Sequence, residues 1–157
     1  MIDHFTLTVS NLGRSKAFYN RALAPLGYKL LMDFGQAVGY GDEKKPYFWL
    51  KEGPEASRPM HIAFQAKNRA AVDAFHSAAL AAGARDDGRP GLREMYHPNY
   101  YGSFVIELDG HPIEAVCHAA PGGAKKAPAK KPAAKKAAPR KTAKKSRAKP
   151  ARRKKRR

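Results

Sequence analysis

The chain has 157 residues, enough for one domain of ordinary size and too few for two. Its net charge of +18 sits at one end: residues 1–120 balance 13 Lys/Arg against 13 Asp/Glu, whereas residues 121–157 hold 18 Lys/Arg and no acid. A single cysteine, Cys117, excludes an internal disulfide and suits a reducing compartment; no apolar run nears the roughly 18 residues of a membrane span, and the first residues lack the layout of a secretory signal, so a cytoplasmic location is expected.

An alternating segment opens the chain. Phe5, Leu7 and Val9 face one way and His4, Thr6 and Thr8 the other, the two-residue period of a half-buried strand. Ser10 or Asn11 then caps a helix carrying Phe18 and Leu23, and Gly27 supplies a left-handed stop. Short strands are predicted near 28–33, 36–41 and 46–51, separated by FGQ and GDEKKP.

At His61 the pattern begins again. HFTLTVSNLGRSKAFYNRALAPLG from His4 aligns with HIAFQAKNRAAVDAFHSAALAAG from His61, so that Ala17/Ala74, Phe18/Phe75, Ala22/Ala79 and Leu23/Leu80 hold equal offsets. Ile62 and Phe64 alternate with His61, Ala63 and Gln65; Asn68 caps a second helix whose apolar positions are Val72, Phe75 and Leu80; Gly83 ends it. Strands are predicted at Ala84–Asp86, Tyr101–Leu108 and Pro112–His118, the last two joined by a DGH turn. The expectation is an α+β fold over residues 1–118, two βαβββ modules of about 1–53 and 58–118 whose curved mixed sheets surround a shared cleft with the helices outside.

Three side chains then fall at corresponding places. His4 and His61 open the first strand of each module, and Glu114 lies in the last strand of the second, opposite in parity to the apolar Ile113, Ala115 and Cys117. Two imidazoles and one carboxylate leave positions open on a divalent ion, and the donor types admit Fe, Mn, Zn, Ni or Co. A carboxylate in an inner strand without a cation would be costly to ionise, which a metal would also explain.

DHFTLTVSNLGRSKAFY, PMHIAFQA and YGSFVIELDGHPIEAVCH carry a strand-opening His, a second strand-opening His, and a Glu after an aspartate-glycine turn. In these segments the chain resembles the vicinal oxygen chelate family, which includes glyoxalase I, fosfomycin-resistance thiol transferases, extradiol dioxygenases and bleomycin-binding proteins. The resemblance covers about three quarters of the chain and implies His4, His61 and Glu114 as metal ligands, Glu114 as catalytic residue, and a small-molecule substrate chelated through neighbouring oxygens. It also implies that the site is built within one chain or across a homodimer. Two departures stand out: PYFWLK carries no acid where glyoxalase I enzymes add a carboxylate, and ELDG replaces the usual aspartate-proline-aspartate-glycine turn.

Within GLREMYHPNYYGSF, Arg93, His97, Tyr100 and Tyr101 combine cationic, acid–base and aromatic groups, and Arg93, His97 and Tyr101 are the candidates for substrate contact, with Trp49 as an apolar wall. His118 is expected too far along its strand to share the metal, His111 to serve the turn, His76 to face solvent, and Cys117 to be a buried structural thiol. The segment 119–157, rich in Lys, Arg, Ala and Pro, is expected to stay disordered and resembles in composition the tails of linker histones; its cations suit non-specific DNA or RNA contact, with nothing that could read base edges. Three functions follow as expectations: a metal-dependent lyase, transferase or dioxygenase; a non-catalytic binding module; and a nucleic-acid-associated adaptor.

Overall fold

A computed structural model describes residues 2–121. The basic segment, with its expected disorder and nucleic-acid contact, lies outside the described residues apart from its first three positions. The first module runs β1 (Phe5–Val9), α1 (Leu12–Ala22), a single 3-10 turn (Ala24–Leu26), β2 (Lys29–Asp33), β3 (Ala37–Gly41) and β4 (Pro46–Glu52). The second runs β5 (Ile62–Gln65), α2 (Arg69–Ala81), β6 (Arg85–Leu92), β7 (Tyr101–Ile106) and β8 (Pro112–Cys117).

The repeat in sequence is a repeat in topology. One sheet has the order β1-β4-β3-β2 and the other β5-β8-β7-β6; in each, the first and last strands of the module pair in parallel and the remaining neighbours are antiparallel. Both helices start as the sequence predicts: the Asn11 side chain accepts the Arg14 N–H and the Asn68 side chain accepts the Ala71 N–H, each satisfying a donor that the first turn leaves open. Gly27 and Gly83 adopt φ of 89° and 103°, the left-handed conformation that ends these segments without a Cβ clash.

The two modules meet through their apolar, helix-bearing faces. α1 packs on β4 and on α2, while Phe48 of β4 meets Phe64 of β5 with ring centroids 5.4 Å apart. Leu7, Val9, Phe18, Leu50, Phe75 and Ile113 are fully or almost fully buried in this common core. Cys117 is buried and free, as its strand parity requires.

Three expectations need correction. β6 runs on to Leu92 through Pro90, which an edge strand tolerates because its outer N–H has no partner to lose. Leu80 is 36% exposed, since the buried stripe of α2 is Val72, Phe75, His76 and Ala79 and Leu80 lies one step round the helix. His76 is therefore not solvent-facing: it is buried, and its Nε2 meets Asp86 Oδ1 of β6 at 3.0 Å.

Candidate functional site

Strand alternation builds the site in the second module. Ile62 and Phe64 turn into the core, so His61 stands on the opposite face at the entry to β5. On β8, Ile113, Ala115 and Cys117 face the core and Glu114 faces the other way, beside Ala63 of β5 and Phe104 of β7. The parallel pairing of β5 with β8 brings Glu114 Oε2 to 3.0 Å from His61 Nε2. Glu114 is only 2% exposed whereas the His61 side chain is 54% exposed, which puts the carboxylate at the floor and the imidazole at the rim.

Tyr100 closes the other side of the carboxylate. Its hydroxyl donates to Glu114 Oε1 at 2.5 Å, and burial together with this bond holds the phenol well above its ordinary range. Space for the carboxylate comes from Gly102: a Cβ there would lie 3.0 Å from Glu114 Oε1. Among the described residues no Lys or Arg pairs with Glu114, so a nearly buried carboxylate has an imidazole and a phenol as its side-chain partners.

The other expected site residues divide. Arg93 reaches the rim, its guanidinium 5.5 Å from the Phe104 ring centroid, and the His61 ring stands edge-on to the same Phe104 at 6.2 Å. His97 lies one layer further out, where its Nε2 meets His118 Nδ1 at 2.7 Å and its ring packs edge-on to Tyr100. Tyr101 points the other way: its hydroxyl donates to Asp73 of α2 at 2.8 Å and its ring carries Arg69, on the helix side of the sheet. Trp49 belongs to the first sheet, half-buried, stacked on Phe34 at 6.0 Å and paired in register with Thr6. His4 shares the first sheet's open face; it meets Asp3 at 2.9 Å and lines a cleft of about 250 Å³ with Phe5, Tyr28, Tyr47 and Ala63.

Within one chain, therefore, His61 and Glu114 meet and His4 does not join them. No three His, Cys, Asp or Glu side chains among the described residues are arranged to hold a metal ion. The pair that does meet offers one imidazole nitrogen and one carboxylate oxygen, donors that suit a borderline divalent ion, and the buried anionic floor is chemically fitted to a cation. Tyr100 counts among the loop's aromatic groups in the sequence, but its contact with Glu114 is not foreseen there. Its signal was present: Tyr100, Gly102 and Phe104 share the parity that faces Glu114, whereas Tyr101, Ser103 and Val105 take the opposite one.

Comparison with known proteins agrees with this architecture. The family model of the Glyoxalase/Bleomycin resistance protein/Dioxygenase superfamily matches residues 1–115. A crystal structure of a glyoxalase/bleomycin resistance protein from Albidiferax ferrireducens T118 is similar at 24% identity and TM-score 0.64, covering 73% of this chain and 96% of that one. A glyoxalase/bleomycin resistance protein/dioxygenase family enzyme from Burkholderia phytofirmans PsJN gives 15% identity and TM-score 0.60 over 75% and 98% of the two chains. The genomically encoded fosfomycin resistance protein FosX from Listeria monocytogenes gives 18% and 0.57 over 74% and 92%. A search of curated protein sequences returned no significant match.

Proposed function

Because the chain belongs to the Glyoxalase/Bleomycin resistance protein/Dioxygenase superfamily, we propose that it is a divalent-metal-dependent enzyme acting on a small molecule with neighbouring oxygens, by lyase, transferase or dioxygenase chemistry. The observation that carries this reading is Glu114: a carboxylate 2% exposed, without a Lys or Arg partner among the described residues, and aimed at an imidazole on the open face of the sheet.

In this reading His61 and Glu114 are two ligands and His4 of a second copy is the third, so the working unit is a homodimer. The ion is Fe, Mn, Zn, Ni or Co, and when bound it supplies Lewis-acid stabilisation of charge developing on substrate oxygen. The chain's own groups do the rest. Tyr100 holds Glu114 Oε1, which leaves Oε2 directed at His61 and fixes the carboxylate's orientation. Glu114 is also the group that takes and returns a proton. Arg93 presents a cation at the rim for an anionic part of the substrate, with His97 behind Tyr100, and Trp49, on the first sheet with His4, would come with it from the second copy as an apolar wall.

Elemental analysis of the purified full chain, without added metal, tests the reading. A near-stoichiometric divalent ion in the wild type that is lost in both His61→Ala and Glu114→Ala is the expected result. Wild-type protein that takes up none of the five metals on reconstitution overturns it and favours the second reading, a non-catalytic small-molecule binder, which the separation of His4 from His61 and Glu114 within one chain supports.

The basic segment adds non-specific nucleic-acid contact to this proposal, supported by 18 Lys/Arg and no acid in residues 121–157. Retention on DNA should fall steeply with salt, because each neutralised phosphate releases a counterion, and should vanish in a chain ending at residue 121. Equal retention of the shortened chain would exclude it.

A further inference from the structure

A second cluster of polar groups lies buried where the modules join. The start of α1 is tied to the β7–β8 turn: the Ser10 N–H donates to Asp109 Oδ2 at 3.1 Å and Arg14 Nη2 donates to the Leu108 carbonyl at 3.0 Å. Behind these contacts sit Tyr19 of α1, within range of the charges of Glu107 and Asp109, and Glu107 and His111 of the turn, between 0% and 4% exposed. The Tyr19 hydroxyl, Glu107 Oε2 and His111 Nε2 are all buried without a hydrogen-bond partner among the described residues. Unpartnered buried polar atoms are rare and costly, so several at one joint require a common explanation.

The bonds already made decide what could satisfy them. Glu107 Oε1 accepts the backbone N–H groups of both Asp109 and His111 at 3.0 Å, which leaves Oε2 as an unused acceptor. His111 Nδ1 accepts the Met60 N–H at 3.1 Å, so the neutral ring carries its proton on Nε2, and that N–H stands 3.9 Å from Glu107 Oε1, beyond hydrogen-bond reach. From α1, Tyr19 brings a hydroxyl held well above its usual range by burial and by the charges of Glu107 and Asp109. A metal ion on Nε2 would require an imidazolate, because Nδ1 already accepts the Met60 N–H, and Glu107 Oε2 is an acceptor that offers an anion no hydrogen bond. What fits is a small neutral molecule able to donate and accept at once, and water takes two to four such partners.

We propose that this joint is a binding site for one internal water molecule, held by His111 Nε2, Glu107 Oε2 and the Tyr19 hydroxyl, and that it makes His111 a positioning residue for the metal site. His111 immediately precedes β8, which carries Glu114, and its Nδ1 holds the residue immediately before His61. The water fixes the ring, and the ring pins the entry of β5 to the entry of β8. The water site stands independently of the metal reading; the positioning role rests on it.

Imidazole ¹H–¹⁵N spectra of the full chain should show His111 protonated at Nε2, with a cross-relaxation peak to a long-lived water, and a crystal structure should place water density about 2.7–3.2 Å from all three atoms. A proton on Nδ1, or a direct His111–Glu107 bond with no water, overturns the site. For the positioning role, Zn(II) titration of His111→Leu should show affinity lowered roughly 10- to 100-fold, the usual effect of losing a group behind a ligand. His111→Asn, whose amide oxygen can still accept the Met60 N–H, should restore most of it. If His111→Leu does not fold, Met60→Pro deletes the same bond from the donor side and should lower the affinity likewise. Zn(II) affinity unchanged in either folded variant overturns the positioning role, whereas wild-type protein that binds no metal overturns the metal reading and leaves the water site standing.

Discussion

Glu114 shows how one residue's surroundings set its chemistry. A carboxylate buried to 2% exposure must be satisfied by what touches it, and Tyr100 and His61 divide its two oxygens between them. Removing the phenol in Tyr100→Phe leaves Oε1 without that partner, so metal-free protein should lose about 1–3 kcal/mol in urea unfolding. An unchanged midpoint would mean that the bond is not formed in solution. The same variant should still bind metal more weakly than wild type, because the carboxylate is then free to rotate. That His61 and Glu114 share the polar face of their strands was legible from strand parity, which depends only on a two-residue period. Read as a composition of useful groups, the loop does not separate Tyr101 from Tyr100, because the parity of β7 is not carried back through its first residue. Extended by one step, that alternation puts Tyr100 with Gly102 and Phe104 and sends Tyr101 toward Asp73.

Between elements, the contact of α2 with β6 carries a titratable pair. His76 lies in the buried stripe of α2, and its Nε2 reaches Asp86 on β6; this hydrogen bond first, and the Gly88 N–H second, hold the Asp86 carboxyl below its ordinary value of 3.8. A depressed carboxyl contributes stability that is present above the ordinary value and is lost as pH falls through the depressed one. Asp86→Asn should therefore melt below wild type at neutral pH, and the two curves should converge in acid as pH falls through the depressed carboxyl value. A gap that stays constant down to acid pH would show that the pair is not linked to folding. The position of His76 was not read from the sequence because a single polar residue in an apolar helix is ambiguous about its face: its burial is settled by Asp86, ten residues on in another element. Helix starts, by contrast, were legible to within one residue, Asn68 directly and Asn11 as one of two neighbours, since these caps act on their own first turns and need no tertiary partner. β6 was cut short because Pro90 reads as a breaker until its edge position is known.

At the scale of the molecule, the proposed metal site raises the question of where a third ligand would come from. Each module presents one histidine at the entry of its first strand, and duplication makes the two modules equivalent in fold, yet His4 and His61 do not meet within the chain. The proposed two-fold arrangement of copies would answer this, because a self-complementary contact that brings His4 of one protomer to His61 and Glu114 of the next does so twice. Mixing variants distinguishes this from a site closed within one chain. Combine His4→Ala protein with His61→Ala protein, neither expected to hold metal alone, and let the subunits exchange. If sites span protomers, each mixed dimer contains one site with both lesions and one with none, and random pairing makes half the dimers mixed, so bound metal should recover to about a quarter of the wild-type content. If each site is closed within its own chain, every site keeps a lesion and nothing is recovered. The shared site also predicts that metal content falls on dilution together with dimer dissociation, since the ion then binds the dimer and not the monomer. Recovery without any dimer in solution would contradict the arrangement, because complementation requires the two chains to meet.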